Sequence, residues 1–163
     1  MDEWRTQSRA YLLRTDRNLM IKFRASPKYF YIRDRDEPDE TRIQAYVRLA
    51  LCIRNAPVPL SCVVFKPYTR TQVESWTLGT WFFNTAITGA SLSLKHIRSL
   101  MSEDRPYLGS IDVSGVPVLY VQALSHRNCD KGLVMLPANL RIFIRDIIGD
   151  TVIMRAVYVE EVD

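Results

Sequence analysis

The sequence predicts a mainly β protein: an antiparallel β-sandwich, an eight-stranded jelly roll with one short helix. Three observations predict it. The stretch "RIQAYVRLALCIR" alternates apolar and polar residues, the period-2 signature of a strand with one buried face. Turn signals recur about every ten residues after it, the spacing of a sandwich or barrel. Only "SLSLKHIRSLM", residues 91–101, places apolar residues at clear helical spacing. The alternative is an α+β sheet backed by two helices, over 3–20 and 91–104.

Taken in order, residues 3–20 can form a helix, with Trp4, Tyr11, Leu12 and Leu19 as loose apolar contacts. "LMIKFRAS" and "KYFYIRD" read as short extended pieces rich in aromatics and Ile. Residues 34–40, "DRDEPDE", form a charged loop. In the strand expected over 42–55, Ile43, Ala45, Val47, Leu49, Leu51 and Ile53 face the core. Arg42, Arg48 and Arg54 lie along the opposite side. Pro57 and Pro59 in "NAPVPL" make a turn or crossing loop, because they cannot donate to a ladder. "SCVVFKPY", 61–68, is the returning strand, expected to pair antiparallel with 42–55. The helix in 91–101 carries Leu94, Ile97, Leu100 and Met101 on one side. Ser91 or Ser93 caps it, and Arg105-Pro106 ends it. "YLGSIDV", "VPVLYVQAL", "LVMLPANLRIFIRDI" after Pro137 and "TVIMRAVYVEEV" complete the strands. Gly149-Asp150 turns the last hairpin.

The organisation follows charge. Eight basic residues and one acid lie between Arg5 and Arg33, so this segment is +7 and the rest of the +4 chain is −3. Residues 1–40 are therefore read as a basic N-terminal arm with an acidic linker, and 41–163 as the β-sandwich body. A basic surface binds phosphate through counterion release with little sequence preference. The expected nucleic-acid contacts, to a single strand, are Arg5, Arg9, Arg14, Arg17, Lys22, Arg24, Arg42, Arg48 and Arg54. Pairing with acids on neighbouring strands is the competing explanation for any one of them. Trp76, Trp81, Phe82 and Phe83 form the densest aromatic cluster, expected in the core and in an interface between subunits.

Chemistry is hard to find. There is no Gly-rich phosphate loop, GxSxG elbow, HExxH or CxxC. His126 and Cys129 are spaced for two metal ligands, but a structural tetrahedral site needs four. Asp104, Asp112, Asp146 and Asp150 sit in or beside turns and are explained by turn formation. No catalytic residue, metal or cofactor is expected, and the chain is not expected to be an enzyme. Cys52, Cys62 and Cys129 read as free thiols in a reducing compartment. The N-terminus lacks the continuous apolar core of a secretory signal, and no apolar run is long enough for a transmembrane span.

The order of basic segment 5–33, strands, helix "SLSLKHIRSLM", strand pair "YLGSIDVSGVPVLYVQAL" and closing hairpin "ANLRIFIRDIIGDTVIMRAVYVEEVD" resembles the single jelly-roll coat proteins of very small plant viruses. Satellite viruses and the nanovirus group are the ones meant. The resemblance implies a viral coat protein that self-assembles into a homo-oligomer or capsid and contacts nucleic acid through a basic arm. Its location would be the virion, with host cytoplasm or nucleus during assembly. The arm departs from that family, since its bases are interspersed with Leu, Tyr, Ile and Phe, which suits a clamp on a neighbouring subunit. The alternative is a non-structural viral binding protein of the movement, silencing-suppressor or matrix type, acting as a small oligomer.

Overall fold

The computed structural model describes residues 2–15, 18–19, 39–121 and 132–159. Helix α1 spans Asp2–Arg14 and α2 spans Glu40–Arg54; β1 (Val63–Tyr68) and the short α3 (Arg70–Glu74) follow. Then come β2 (Trp81–Asn84), β3 (Thr88–Ser91), α4 (Leu94–Leu100), β4 (Tyr107–Asp112) and β5 (Leu119–Tyr120). The chain finishes with β6 (Leu133–Leu136), β7 (Leu140–Ile148) and β8 (Thr151–Tyr158). All eight strands join one sheet in the order β2-β7-β8-β4-β1-β3-β6-β5.

The mainly β expectation holds, and the antiparallel jelly roll does not. Strand β8 pairs antiparallel with β7 but parallel with β4, so the sheet is mixed. A parallel neighbour requires the chain to cross over and return in the same direction. An up-and-down series of hairpins cannot supply that.

The largest revision is at 42–55. Those residues form helix α2, which buries Ala45, Leu49, Cys52 and Ile53. The spacing of these four is i, i+4, i+7 and i+8, the apolar stripe of a helix. Ile43, Val47 and Leu51, which a strand would have buried beside Leu49, are 45%, 49% and 48% exposed. The start is fixed by Asp39, whose carboxylate accepts from the Arg42 amide at 2.8 Å. Glu40 in the first turn and Arg54 in the last suit the helix dipole. Residues 61–68 therefore have no strand at 42–55 to pair with. Strand β1 instead pairs with β4 along its whole length and touches β3.

Two apolar clusters hold these parts together. The main one gathers Val64, Ile111, Leu140, Ile142, Ile144, Val152 and Met154 from β1, β4, β7 and β8. Val134 and Leu136 of β6, with Tyr120 of β5, meet them, so the sheet curls around this core. Trp4 of α1 enters the same core. Its ring stacks on Tyr120 at 5.5 Å, and its Nε1 donates to the Pro57 carbonyl at 3.1 Å. The second cluster packs Leu12 of α1 and Leu49 and Ile53 of α2 on Met135, Leu119 and Ile87. Met135 and its neighbours Val134 and Leu136 thus serve opposite faces of one strand, as a period of two requires.

Two local expectations hold, and the pieces "LMIKFRAS" and "KYFYIRD" lie outside the described residues. Ser93 caps α4 by accepting from the His96 amide at 3.1 Å. Gly149 turns the β7–β8 hairpin at φ 61°, a conformation glycine adopts without strain. No described helix is long and apolar enough to cross a membrane.

Candidate functional site

The sheet has one weak joint. Strands β1 and β3 share a single residue pair, Phe65 with Ser91. On one side β1 continues beside β4 through Tyr68, and on the other β3 follows β6. At this joint, the β1–β3 seam, the ladder between the two portions of the sheet is reduced to one pair.

Lys66 is the first residue of β1 past that joint. By strand alternation it shares the inward face with Val64 and Tyr68, both buried in the main core. It is half-buried, and its ammonium lies 5.5 Å from the Tyr68 ring centroid. Among the described residues no carboxylate pairs with it. Burial lowers its pKa from the ordinary 10.5 to about 8, and the Arg105 charge pushes the same way.

Its surroundings are firm. Tyr68 meets Trp76 edge-on at 4.9 Å, and Trp76 stacks on Phe82 at 4.8 Å. Gly109, the β4 partner of Lys66, leaves room for the Tyr68 ring, since a Cβ there would run into that ring and the Met154 methyl. On the other bank, Ser91 is buried and its hydroxyl accepts from the Ser93 amide at 2.9 Å. Gly132, at the entry to β6, accepts from the Leu92 amide at 2.9 Å. Strands β1, β3 and β6 carry no Asp or Glu.

Neither described cysteine offers a nucleophile. Burial raises both thiols, Cys62 to about 11 with help from the Asp112 charge. Tyr11 donates to the Cys52 carbonyl at 2.6 Å, and burial raises its phenol well above the usual value. Asp112 is lowered chiefly by the Ser114 hydroxyl, which donates to it at 2.6 Å, and by the Ser114 amide. That is a turn device, as expected. No group of three or more metal-ligating side chains exists among the described residues. His126 and Cys129 lie outside them.

Among the described residues expected to bind nucleic acid, Arg14 of α1 and Arg48 of α2 line one cavity. Arg5, Arg9 and Arg14 are exposed on α1, and Arg5 lies over the Tyr120 ring at 5.9 Å. Arg17, Lys22 and Arg24 lie outside the described residues. Arg42, Arg48 and Arg54 sit on α2, where a six-residue step turns about 240° at 3.6 residues per turn. The three point in three directions and make no linear track. The aromatic cluster divides: Trp76 and Phe82 pack on the main core, whereas Trp81 and Phe83 are exposed. Lys66 was missed. Its only signal in the sequence is a lone charge inside the apolar run "VVFKPY".

No protein-family model matches the sequence, and no curated protein does. Solved structures match across nearly the whole chain. Plx2a, an ADP-ribosyltransferase toxin from Paenibacillus larvae, is 13% identical over 94% of this chain and 92% of its own, with a TM-score of 0.72. The ADP-ribosylating toxin BECa of a C. perfringens binary enterotoxin, solved with NADH, is 9% identical over 93% of this chain and 46% of its own, at 0.71. C3larvin toxin, an ADP-ribosyltransferase also from Paenibacillus larvae, is 12% identical over 94% of each chain, at 0.68. These neighbours overturn the coat-protein resemblance, together with its capsid, self-assembly and virion implications, and the alternative of a non-structural viral binding protein. They also overturn the expectation of no enzymatic role, which rested on missing sequence motifs. At such identities the likeness is one of fold: this chain folds like the ADP-ribosyltransferase toxins.

Proposed function

We propose that the β1–β3 seam holds NAD and that the chain transfers the ADP-ribosyl group of NAD to an acceptor. The observation that carries this is Lys66: a half-buried cation, with no carboxylate partner among the described residues, at the joint of a sheet that resembles those of ADP-ribosyltransferase toxins. The pyrophosphate of a dinucleotide is the anion such a site suits. A lysine ammonium meets phosphate as a point charge. In a partly desolvated place that attraction is stronger than in water. The Tyr68–Trp76–Phe82 stack fixes the strand that carries the lysine, so little ordering is left for binding to supply.

In the transfer, the bond between the ribose anomeric carbon and the nicotinamide nitrogen breaks. Its electron pair leaves with neutral nicotinamide, positive charge grows on the sugar, and the acceptor's lone pair forms the new bond as the acceptor loses a proton. The described strands lining the seam supply a cation for the phosphates and no carboxylate for the sugar. Binding is therefore the first step to measure.

Calorimetric titration of NAD into the full chain tests the reading, with nicotinamide release followed by chromatography. Lys66→Ala should weaken binding at least about tenfold, while Lys66→Arg keeps most of it. Equal affinity in Lys66→Ala would remove the seam as the site. Tight binding without nicotinamide release, with or without added acceptor proteins, would remove the transfer.

A further inference from the structure

Strand β2 is an end strand of the sheet, paired only with β7. Its residues Trp81 and Phe83 turn away from the core and are 52% and 62% exposed. Trp81 lies opposite Phe143 of β7 with ring centroids 5.0 Å apart. Phe83 lies opposite Arg141, whose guanidinium sits 5.1 Å from the ring centroid. One strand further, Arg155 faces Phe143 and Val157 faces Arg141. The outward face is thus a surface three strands wide, built of rings and guanidinium groups. In these two rows Arg141 and Arg155 meet one acid, Asp112, at the far end.

Among the described residues no strand pairs with the edge beside this surface. The Ile144 amide donates to the Thr80 carbonyl. Antiparallel alternation then turns the amides and carbonyls of Trp81 and Phe83 away from β7. β2 itself carries no Lys or Pro; the device at this edge is a bulge at its entry, where Gly79 (φ 77°) donates its amide to the Ile144 carbonyl and the Ile144 amide donates to the Thr80 carbonyl, leaving Trp81–Asn84 beyond it.

We infer that the β2 edge and its aromatic–arginine face form a docking site for an extended segment of a partner protein, one that presents acidic and apolar side chains on a single face. The unpaired amides fit a peptide backbone added as a further strand. Alternate side chains of that strand fall beside Trp81 and Phe83, within reach of Arg141, where carboxylates are complementary. Trp and Arg are also the residues that dominate binding energy at protein interfaces. A nucleic acid is the poorer occupant. One face of the Phe83 ring already carries a guanidinium, Trp81 leans on Phe143, and bases have no use for an open ladder edge. This site is distinct from the seam and does not depend on the NAD reading.

The test uses fluorescence anisotropy on the full chain with four labelled probes. They are a peptide of about ten residues whose odd positions alternate Glu with Val and whose even positions are Thr, its Lys-for-Glu twin, a copy N-methylated at every second residue, and oligothymidylate. The acidic peptide should bind, and the lysine twin and the N-methylated copy should bind at least about tenfold more weakly. Arg141→Glu and the double variant Trp81→Ala/Phe83→Ala should each lose at least about tenfold, with unchanged circular dichroism. The N-methylated probe tests strand addition without altering the protein. Absence of binding at about 1 mM peptide would overturn the inference. Equal binding of the lysine twin, or tighter binding of oligothymidylate, would do the same. A dimer in sedimentation that the double variant abolishes would assign the face to a second copy and overturn the partner segment.

Discussion

Replacing Lys66 by methionine should make the protein more stable and unable to hold NAD. Lys66 is protonated at pH 7 in the folded and unfolded chains alike, but the folded one holds the charge away from water. Lowering its pKa from 10.5 to about 8 corresponds to about 3 kcal/mol, at 1.36 kcal/mol for each tenfold change in protonation. The Tyr68 ring returns about 1 kcal/mol as a cation–π contact. Lys66→Met, with similar length and no charge, should therefore gain about 2 kcal/mol at pH 7. With urea m-values of about 1–3 kcal/mol/M, the midpoint rises by about 0.7–2 M. The gain fades with pH in a defined window. Between about 8 and 10.5 the folded wild type has released the Lys66 proton while the unfolded chain keeps it, so its stability rises with pH relative to the variant. Urea melts of both proteins at pH 7, 8, 9 and 10 isolate this group, because the tyrosines and cysteines that also titrate there are common to both. The difference should shrink steadily above pH 8. A variant no more stable than wild type at pH 7, or a gain that ignores pH, would refute the picture of an unpaired buried cation. A pyrophosphate in the seam should restore the lysine pKa toward its ordinary value, so saturating NAD should narrow the gap at pH 7 in favour of wild type.

Three further outcomes follow from packing. Leu49→Ala should cost about 2–5 kcal/mol, because Leu49 is fully buried, whereas Val47→Ala should stay within about 0.5 kcal/mol; equal losses in urea melts would return α2 to a strand. Gly109→Ala should cost about 1–3 kcal/mol and weaken NAD, since the new methyl displaces the Tyr68 ring beneath Lys66; unchanged melting would show that the ring yields freely. A 1–150 fragment should fail to give a cooperative melt, because β8 lies between β7 and β4 and buries Val152, Met154 and Ala156. A soluble, cooperatively folded fragment would make that strand peripheral.

Helix α2 shows how a sequence pattern can point two ways. Ile43 through Ile53 alternate with polar residues, and the same run holds Ala45, Leu49, Cys52 and Ile53 at helical spacing. Alternation by itself does not separate the two, because a helix with a broad apolar surface also satisfies a period of two over a few turns. The boundary signals did separate them. Asp39 as N-cap, Glu40 in the first turn, Arg54 in the last and Pro57 just beyond the end all specify a helix of this length. Strands β7 and β8 were legible because each has apolar alternation and turn chemistry in agreement, down to Gly149, whereas β6, the apolar run Leu133–Leu136 before Pro137, was not.

The seam was not legible for a different reason. What gives Lys66 its character is that β1 leaves β3 after one pair, and no local pattern encodes which distant strand a residue abandons. The same holds for the parallel pairing of β8 with β4, which joins residues more than forty positions apart, as in Gly109 with Val152. The strand content of a jelly roll and of this fold is nearly the same, and the difference lies in strand order. The lone lysine in "VVFKPY" was nevertheless visible. A charge on the inward parity of an otherwise apolar strand must find a partner, shed its proton or serve a ligand. Here the described residues offer no partner and burial removes only part of the tendency to hold the proton. A ligand is the alternative that the pH series on Lys66→Met and NAD separates from the other two.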